Sequence, residues 1–146
     1  MKQAIRRRSW TQERQYLKRI KYCWFTKTMG LGLYRRGWCD VLESVQSNTE
    51  KEVREETGLN VKAVKIIAVQ DRNKHNKPVY AYGVCKIFVL CEVIGGEFAE
   101  NIETIETRYF SLEDLPDHLA EEKTSKEQIV MCFQAFSDAN WQTQFD

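Results

Sequence analysis

The feature that most constrains this 146-residue sequence is a helical pattern from residue 44 to 57 that ends at Gly58. Glycine commonly follows the last residue of a helix because it adopts positive φ without steric penalty. Leu59 is placed to fold back onto that helix. Two strand-like stretches follow, at 61–69 and 80–93. A helix followed by such strands favours an α/β layered fold.

Weaker patterns complete the second half of the chain. Residues 71–77 predict a solvated hairpin loop, and Gly95 with Gly96 predicts a turn. Residues 106–112 predict a further strand. Residues 124–136 predict an amphipathic helix, since Ile129, Met131, Cys132 and Phe136 give it an apolar side.

Bulk composition excludes several classes of protein. With 42% hydrophobic and 29% charged residues, the chain suits one globular domain rather than a disordered tract. No apolar run approaches the roughly 20 residues needed to cross a bilayer. The five cysteines form no C-x-x-C pair, and His75 and His118 are too few for a zinc site. These residues predict reduced thiols in a cytoplasmic protein and two surface histidines.

Three glutamates share one face of the first predicted helix. Glu52, Glu55 and Glu56 stand at i, i+3 and i+4, where like charges repel unless a cation compensates them. Mg²⁺ prefers carboxylate oxygens and keeps its other positions for water and substrate phosphates. The cluster therefore suits a site that binds a diphosphate and activates water. Taken alone, the same motif also fits a solvated acidic face paired with Lys51 and Arg54.

The wider spacing resembles the signature of Nudix hydrolases. In that signature a Gly is followed after five residues by Glu, and after seven more by Arg-Glu-apolar-any-Glu-Glu-any-Gly-apolar. The matching positions are Gly37, Glu43, Lys51, Glu52, Val53, Glu55, Glu56, Gly58 and Leu59, with Lys51 in place of Arg. Eight matches among nine specified positions over a fixed span are too many for chance.

The resemblance continues to about residue 136 and is of the bacterial ADP-ribose or nucleoside-diphosphate-X pyrophosphatase type. It implies an α/β/α sandwich around a mixed sheet, with a Nudix-like domain over 37–146. It implies a Mg²⁺ or Mn²⁺ cofactor and a nucleoside diphosphate substrate. Many members of this family are dimers, so a homodimer is compatible with the resemblance.

The resemblance also implies roles for particular residues. It makes Glu52, Glu55, Glu56 and the Gly37 carbonyl the metal ligands, and one glutamate the general base. Glu52 and Glu55 are thus the candidate catalytic residues, with Lys51 and Glu43 supporting the helix and its loop. Glu103 and Glu106 are further candidates for the base or ordinary surface residues.

Three positions depart from the family pattern. Lys51 is a point charge where Arg would hold two carboxylates with a planar fork. Leu42 stands where Gly is usual and would be strained at positive φ. Glu50 stands where a small or apolar residue is usual, and a carboxylate buried against the sheet would cost several kcal/mol. These departures favour weakened catalysis.

The segment 1–36 departs most strongly. It holds 11 of the 22 Lys and Arg residues but a single acid, Glu13. No stretch in it shows the alternation of the strands that the family places before its signature; 14–25 favours a basic amphipathic helix, broken by Gly-Leu-Gly-Leu at 30–33. We therefore predict a fold that is incomplete at this end. A reading-frame slip in the gene would explain the change, which sequencing the locus would test, and a genuine basic arm is the alternative.

Three functions follow, in decreasing order of support. The first is a Mg²⁺-dependent Nudix hydrolase that cleaves the diphosphate bond of ADP-ribose or a similar compound. The second is a catalytically impaired Nudix-like fragment or binding module, which the departures favour. The third is nucleic-acid binding through the basic segment, whose Tyr22, Trp24 and Phe25 could stack on bases.

Overall fold

The computed structural model describes residues 11–13, 22–26, 30–33, 36–38, 42–97, 108–110, 112–113, 115 and 124–146. Its elements, in chain order, are β1 (Thr11–Glu13), β2 (Tyr22–Thr26), β3 (Gly30–Leu33), β4 (Arg36–Trp38), α1 (Val45–Thr57), β5 (Leu59–Asp71), α2 (Arg72–His75), β6 (Cys85–Gly96), β7 (Arg108–Phe110), α3 (Lys126–Ser137) and β8 (Gln144–Phe145). None of the helices within these ranges is both long enough and apolar enough to cross a membrane.

Six strands form one mixed sheet in the order β7-β2-β3-β6-β5-β8. The outer pairs, β2 with β7 and β5 with β8, are parallel, whereas the inner pairs are antiparallel. β1 and β4 form a separate antiparallel pair. The predicted mixed sheet is therefore confirmed.

Helices cover both faces of this sheet. Neighbouring residues of a strand point to opposite faces, and two separate core clusters divide β6 accordingly. Val89 and Cys91 pack with Val53 of α1, whereas Phe88 and Leu90 pack with Met131 and other residues of α3. This is the predicted α/β/α sandwich, and α1 and α3 begin and end within two residues of the predicted bounds.

The N-terminal segment supplies strands, contrary to the sequence prediction. β2 and β3 lie inside the six-stranded sheet, and β3 pairs directly with β6. The predicted helix over 14–25 is wrong at 22–25, which belong to β2, and residues 14–21 lie outside the described ranges. Tyr-Cys-Trp-Phe-Thr is a run of strand-favouring residues without alternation, and the glycines of β3 suggested a break where the chain is extended.

Two further predictions differ from the structure around β6. The strand begins at Cys85 rather than near residue 80, since Asn73 holds the backbone N–H and carbonyl of Tyr80 in the preceding loop. Gly96 is not a turn residue but pairs with Leu59 at the end of β6. Its φ is 83°, and a Cβ there would lie 2.4 Å from the Gly58 carbonyl oxygen. Glycine therefore lets β6 pass against the end of α1.

The segment 71–77 is also not a solvated loop. It contains α2, whose Arg72 is fully buried, and Asn76 is 2% exposed. The Arg72 guanidinium donates to the Pro78 carbonyl and lies 3.5 Å from the centre of the Tyr80 ring. The cation–π contact and the hydrogen bond hold the residues that follow α2 against the buried Arg72 side chain.

β8 is held against β5 by Asp146. The Asp71 N–H donates to its carboxylate at 2.7 Å, and His75 contacts the other carboxylate oxygen. Partial burial raises the pKa of Asp146, but the Asp71 N–H and His75 outweigh it and hold that pKa below its ordinary value.

We expect the attachment of β8 to weaken in acid. A carboxyl group with a lowered folded pKa stabilises the fold above its unfolded pKa, about 3.9 for Asp, and loses that effect as pH falls through the folded value. Amide-exchange protection of Asp71 should therefore be high at neutral pH and fall in acid well below pH 4. Asp146→Ala, which removes the side-chain acceptor, should show low protection at both. Equal protection of the native chain at both pH values would contradict this expectation.

Candidate active site

Two local devices fix the ends of the carboxylate-bearing helix. At its start, Ser44 is the N-cap and exchanges hydrogen bonds with Ser47 in a capping box. At its end, Gly58 adopts a φ of 79° and its N–H donates to the Arg54 carbonyl at 2.9 Å. Such caps satisfy backbone groups that the helix leaves without partners. The start and the end of α1, and so its length, are therefore set by its own sequence.

The three candidate ligands on α1 differ in burial. Glu52 is only 2% exposed, Glu56 is half-buried and Glu55 is exposed. Val53, beside Glu52, is fully buried in the core cluster of α1 and β5. The acidic face thus reaches from the packed interior to the surface. This differs from a wholly solvated acidic face.

The supporting residues lie at the start of the same helix. The Glu43 carboxylate accepts a hydrogen bond from the Ser47 hydroxyl, which ties the preceding loop to the first turn of α1. Lys51 is half-buried, next to Glu52 in the chain. Gly37 lies in β4 opposite Gln12 of β1. Leu42 is 96% exposed, so its side chain does not pack into this loop.

The type of donor at this site fits Mg²⁺ or Mn²⁺, because Glu52, Glu55 and Glu56 offer hard carboxylate oxygens. Within the described ranges, no three His, Cys, Asp or Glu side chains are already arranged to hold a metal ion. Glu103 and Glu106 lie outside those ranges. The three candidate ligands therefore lie on one helix, but their side chains do not converge on a common point at which a metal ion would bind.

Sequence reasoning missed the role of Glu50. It is half-buried, and its Oε1 accepts a hydrogen bond from the backbone N–H of Ala63 in β5 at 2.9 Å. The cost anticipated for a carboxylate at this position is therefore offset by a charge-assisted hydrogen bond.

A buried polar network on the other face of the sheet was also missed. Gln128 of α3 donates to Gln70 of β5 at 2.9 Å and to Asn76 at 3.1 Å. Its oxygen accepts from Lys86 of β6 at 3.3 Å, and Lys86 also donates to Asn76 at 2.7 Å. Gln128 and Asn76 are each 2% exposed, and Lys86 is fully buried. The sequence contained one indication of this network. Lys86 lies on the same strand face as the apolar Phe88 and Leu90, where a buried lysine requires polar partners.

Cys85, Cys91 and Cys132 are free, and the last two are deeply buried. Burial, with a smaller contribution from the Glu50 charge, raises the pKa of Cys91 to about 12. Burial also raises the pKa of Cys132 to about 12, although Lys86 opposes the shift. Both are therefore protonated thiols at neutral pH and not nucleophiles. His118 lies outside the described ranges, and His75 contacts Asp146 at the surface.

Comparison with known proteins supports one family. The chain is similar to the crystal structure of an ADP-ribose pyrophosphatase from Streptococcus suis 89-1591, with 38% identity, a TM-score of 0.72, and coverage of 86% of this chain and 96% of that one. It is also similar to the crystal structure of a UDP-X diphosphatase, with 26% identity, a TM-score of 0.67, and coverage of 85% of this chain and 64% of that one.

A curated relative gives the same result over a shorter alignment. The chain is 31% identical over 110 residues to the Bacillus subtilis (strain 168) protein YjhB, provisionally named as an ADP-ribose pyrophosphatase. That match covers 75% of this chain and 52% of the relative, so the chain spans about half of that protein's length. No protein-family profile matches the chain.

The sandwich with a glutamate-bearing helix on one face defines a Nudix-type domain. The chain is 38% identical to the Streptococcus suis protein and covers 96% of it, so the chain belongs to the Nudix hydrolase family. The recognition made from residues 37–59 is confirmed.

Proposed function

We propose that this protein is a divalent-metal-dependent hydrolase that cleaves the diphosphate bond of a nucleoside diphosphate linked to another group. ADP-ribose is the first substrate to test, since two similar proteins carry the name ADP-ribose pyrophosphatase. The observation that carries the proposal is the capped helix α1, which holds the buried Glu52 beside Glu55 and Glu56.

The residues of α1 would divide the work. Glu52, Glu55 and Glu56 would hold Mg²⁺ or Mn²⁺. The bound cation would supply neutralisation of the diphosphate charge and a more acidic water. One carboxylate, from this set or from Glu103 or Glu106, would take the proton of the attacking water. Through its bond to Ser47, Glu43 would keep the loop after Gly37 against the helix.

A second candidate is a Nudix-like domain that binds nucleotides without turning them over. Lys51 in place of Arg favours it, because a point charge holds carboxylates less firmly than a planar fork does. The N-terminal segment no longer favours it, because β2 and β3 take part in the sheet. Their place in the sheet also weakens the case for a free nucleic-acid-binding arm. We further propose a cytoplasmic protein, and a homodimer that light scattering would test.

A substrate panel distinguishes the enzyme from the binding module. Purified protein is incubated with ADP-ribose, sugar nucleotides, CDP-alcohols and nucleoside triphosphates, each with Mg²⁺, Mn²⁺ or EDTA. If the protein is the proposed hydrolase, one substrate class should release a nucleoside monophosphate, and only when the metal ion is present. Nucleotide binding without release from folded, monodisperse protein would support the binding module and reject the hydrolase.

A further inference from the structure

One hydrogen bond ties α1 to the sheet at a defect in the β5–β6 ladder. The backbone N–H of Ala63 donates to Glu50 Oε1 at 2.9 Å, across 13 residues of sequence. The register of β5 against β6 shifts between Ala63 and Lys65, which is a bulge or similar irregularity. At such a place a strand residue loses its regular ladder partner. At this position the Glu50 carboxylate on α1 accepts the hydrogen bond from the strand N–H.

The helix geometry places Glu50 across the buried stripe from the candidate ligands. Each residue advances about 100° around an α-helix, so Glu55, Glu52 and Glu56 lie about 140°, 200° and 240° from Glu50. The arc between Glu56 and Glu50 contains the buried Thr49, Val53 and Thr57, which are 3%, 0% and 8% exposed, and in the first turn of α1 also the exposed Gln46. Because the helix turns about its axis as one body, a hydrogen bond at the Glu50 border of this stripe also limits the rotation of the glutamates at the other border.

An apolar stripe by itself controls the roll of a helix poorly, because dispersion contacts have little directionality. A hydrogen bond has a preferred distance and direction. Of the stripe residues, Val53 belongs to the apolar core cluster, and Thr49 and Thr57 donate to carbonyls of their own helix. Thr57 also accepts from the N–H of Leu59 at the start of β5, but that bond spans two residues at the helix end and not the body of the helix. The Glu50–Ala63 bond is thus a directional link between α1 and β5.

We propose that Glu50 is a positioning residue, which sets the roll of α1 through Ala63 and so orients the acidic face of Glu52, Glu55 and Glu56. The metal-binding part of this inference rests on the proposed function. Lys51 stands where the family signature has Arg, whose planar guanidinium orients a carboxylate in a way that a point charge does not. The Glu50–Ala63 bond supplies orientation of the acidic face by another route. In this role Glu50 acts through Ala63 rather than as a ligand of the metal or the substrate.

A matched pair of variants tests the link. Glu50→Gln keeps a carbonyl oxygen that accepts from Ala63, whereas Glu50→Met has similar length and no such acceptor. Gln46→Ala is the control, because it removes only the 3.5 Å contact that Gln46 makes with Glu50. Each full-length variant is examined for Mn²⁺ affinity by paramagnetic resonance, for melting temperature, and for the side-chain carboxyl ¹³C resonances of Glu52, Glu55 and Glu56 without metal.

The expected result separates positioning from stability. Glu50→Met should weaken Mn²⁺ binding about tenfold, as removal of groups that orient ligands commonly does, and should shift the three resonances. Glu50→Gln and Gln46→Ala should stay close to the native protein. A lower melting temperature in Glu50→Met with native Mn²⁺ affinity and native resonances would overturn the inference.

The two readouts also distinguish this inference from the proposed function. If the native protein binds no Mn²⁺ and hydrolyses nothing in the panel, the proposed function fails. The metal-free resonances then still decide the role of Glu50. Resonances that move in Glu50→Met but not in Glu50→Gln would support the positioning role, and resonances that move in neither would overturn it.

Discussion

Glu55→Gln is expected to lower metal-dependent hydrolysis by about 10²- to 10⁴-fold, the usual contribution of a group that transfers a proton in the transition state. The amide keeps the size of the side chain but loses the negative charge that a divalent cation requires. Glu55 is exposed, so its replacement removes no packing. The loss should therefore appear in kcat, or in the metal concentration required, without a change in melting temperature.

The matched control is Glu127→Gln. Glu127 is also an exposed helical glutamate, but it lies in the first turn of α3 rather than on α1. It should retain the native rate under the same metal titration. Hydrolysis that survives unchanged in Glu55→Gln would contradict the role of Glu55, and equal losses in both variants would show an effect of overall charge instead.

Gln128→Ala should destabilise the fold by about 3 kcal/mol or more. The side chain of Gln128 bonds to Gln70, Asn76 and Lys86, which lie in β5, after α2 and in β6. Each buried polar group that loses its partner costs about 1–3 kcal/mol, and more when it is charged. Gln128 also completes the capping box with Ser125 at the start of α3. Urea unfolding followed by circular dichroism measures the change.

Gln134→Ala provides the comparison on the same helix. Gln134 is exposed, and its substitution should change the free energy of unfolding by no more than about 0.5 kcal/mol. A small effect of Gln128→Ala, similar to that of Gln134→Ala, would mean that water replaces the lost side chain and that the network does not hold α3 to the sheet.

The helices show how much of the fold can be predicted locally. The start of α1 at Ser44 and its end at Gly58 follow from capping residues and from hydrogen bonds between residues four apart. The same holds for α3, which begins after Ser125. The carboxylates of α1 were found for the same reason, since their spacing alone puts them on one face.

The N-terminal strands show why local reasoning failed elsewhere. β2 and β3 are extended because they pair with β7 and β6, which lie tens of residues away in the chain. Strand propensity depends on such neighbours more than helix propensity does. A basic segment with glycines therefore looked unlike a strand when considered without its partners.

The sequence by itself determined the helix that carries the candidate ligands, the family signature around it and the two long strands β5 and β6. Only the tertiary structure decided which polar groups are buried and what satisfies them. Glu50 bonds to Ala63, and Lys86 bonds to Asn76 and Gln128, across 10 to 42 residues of sequence. The physical reason is that a buried polar group requires a partner, and the packing of helices against the sheet determines which distant residue provides it.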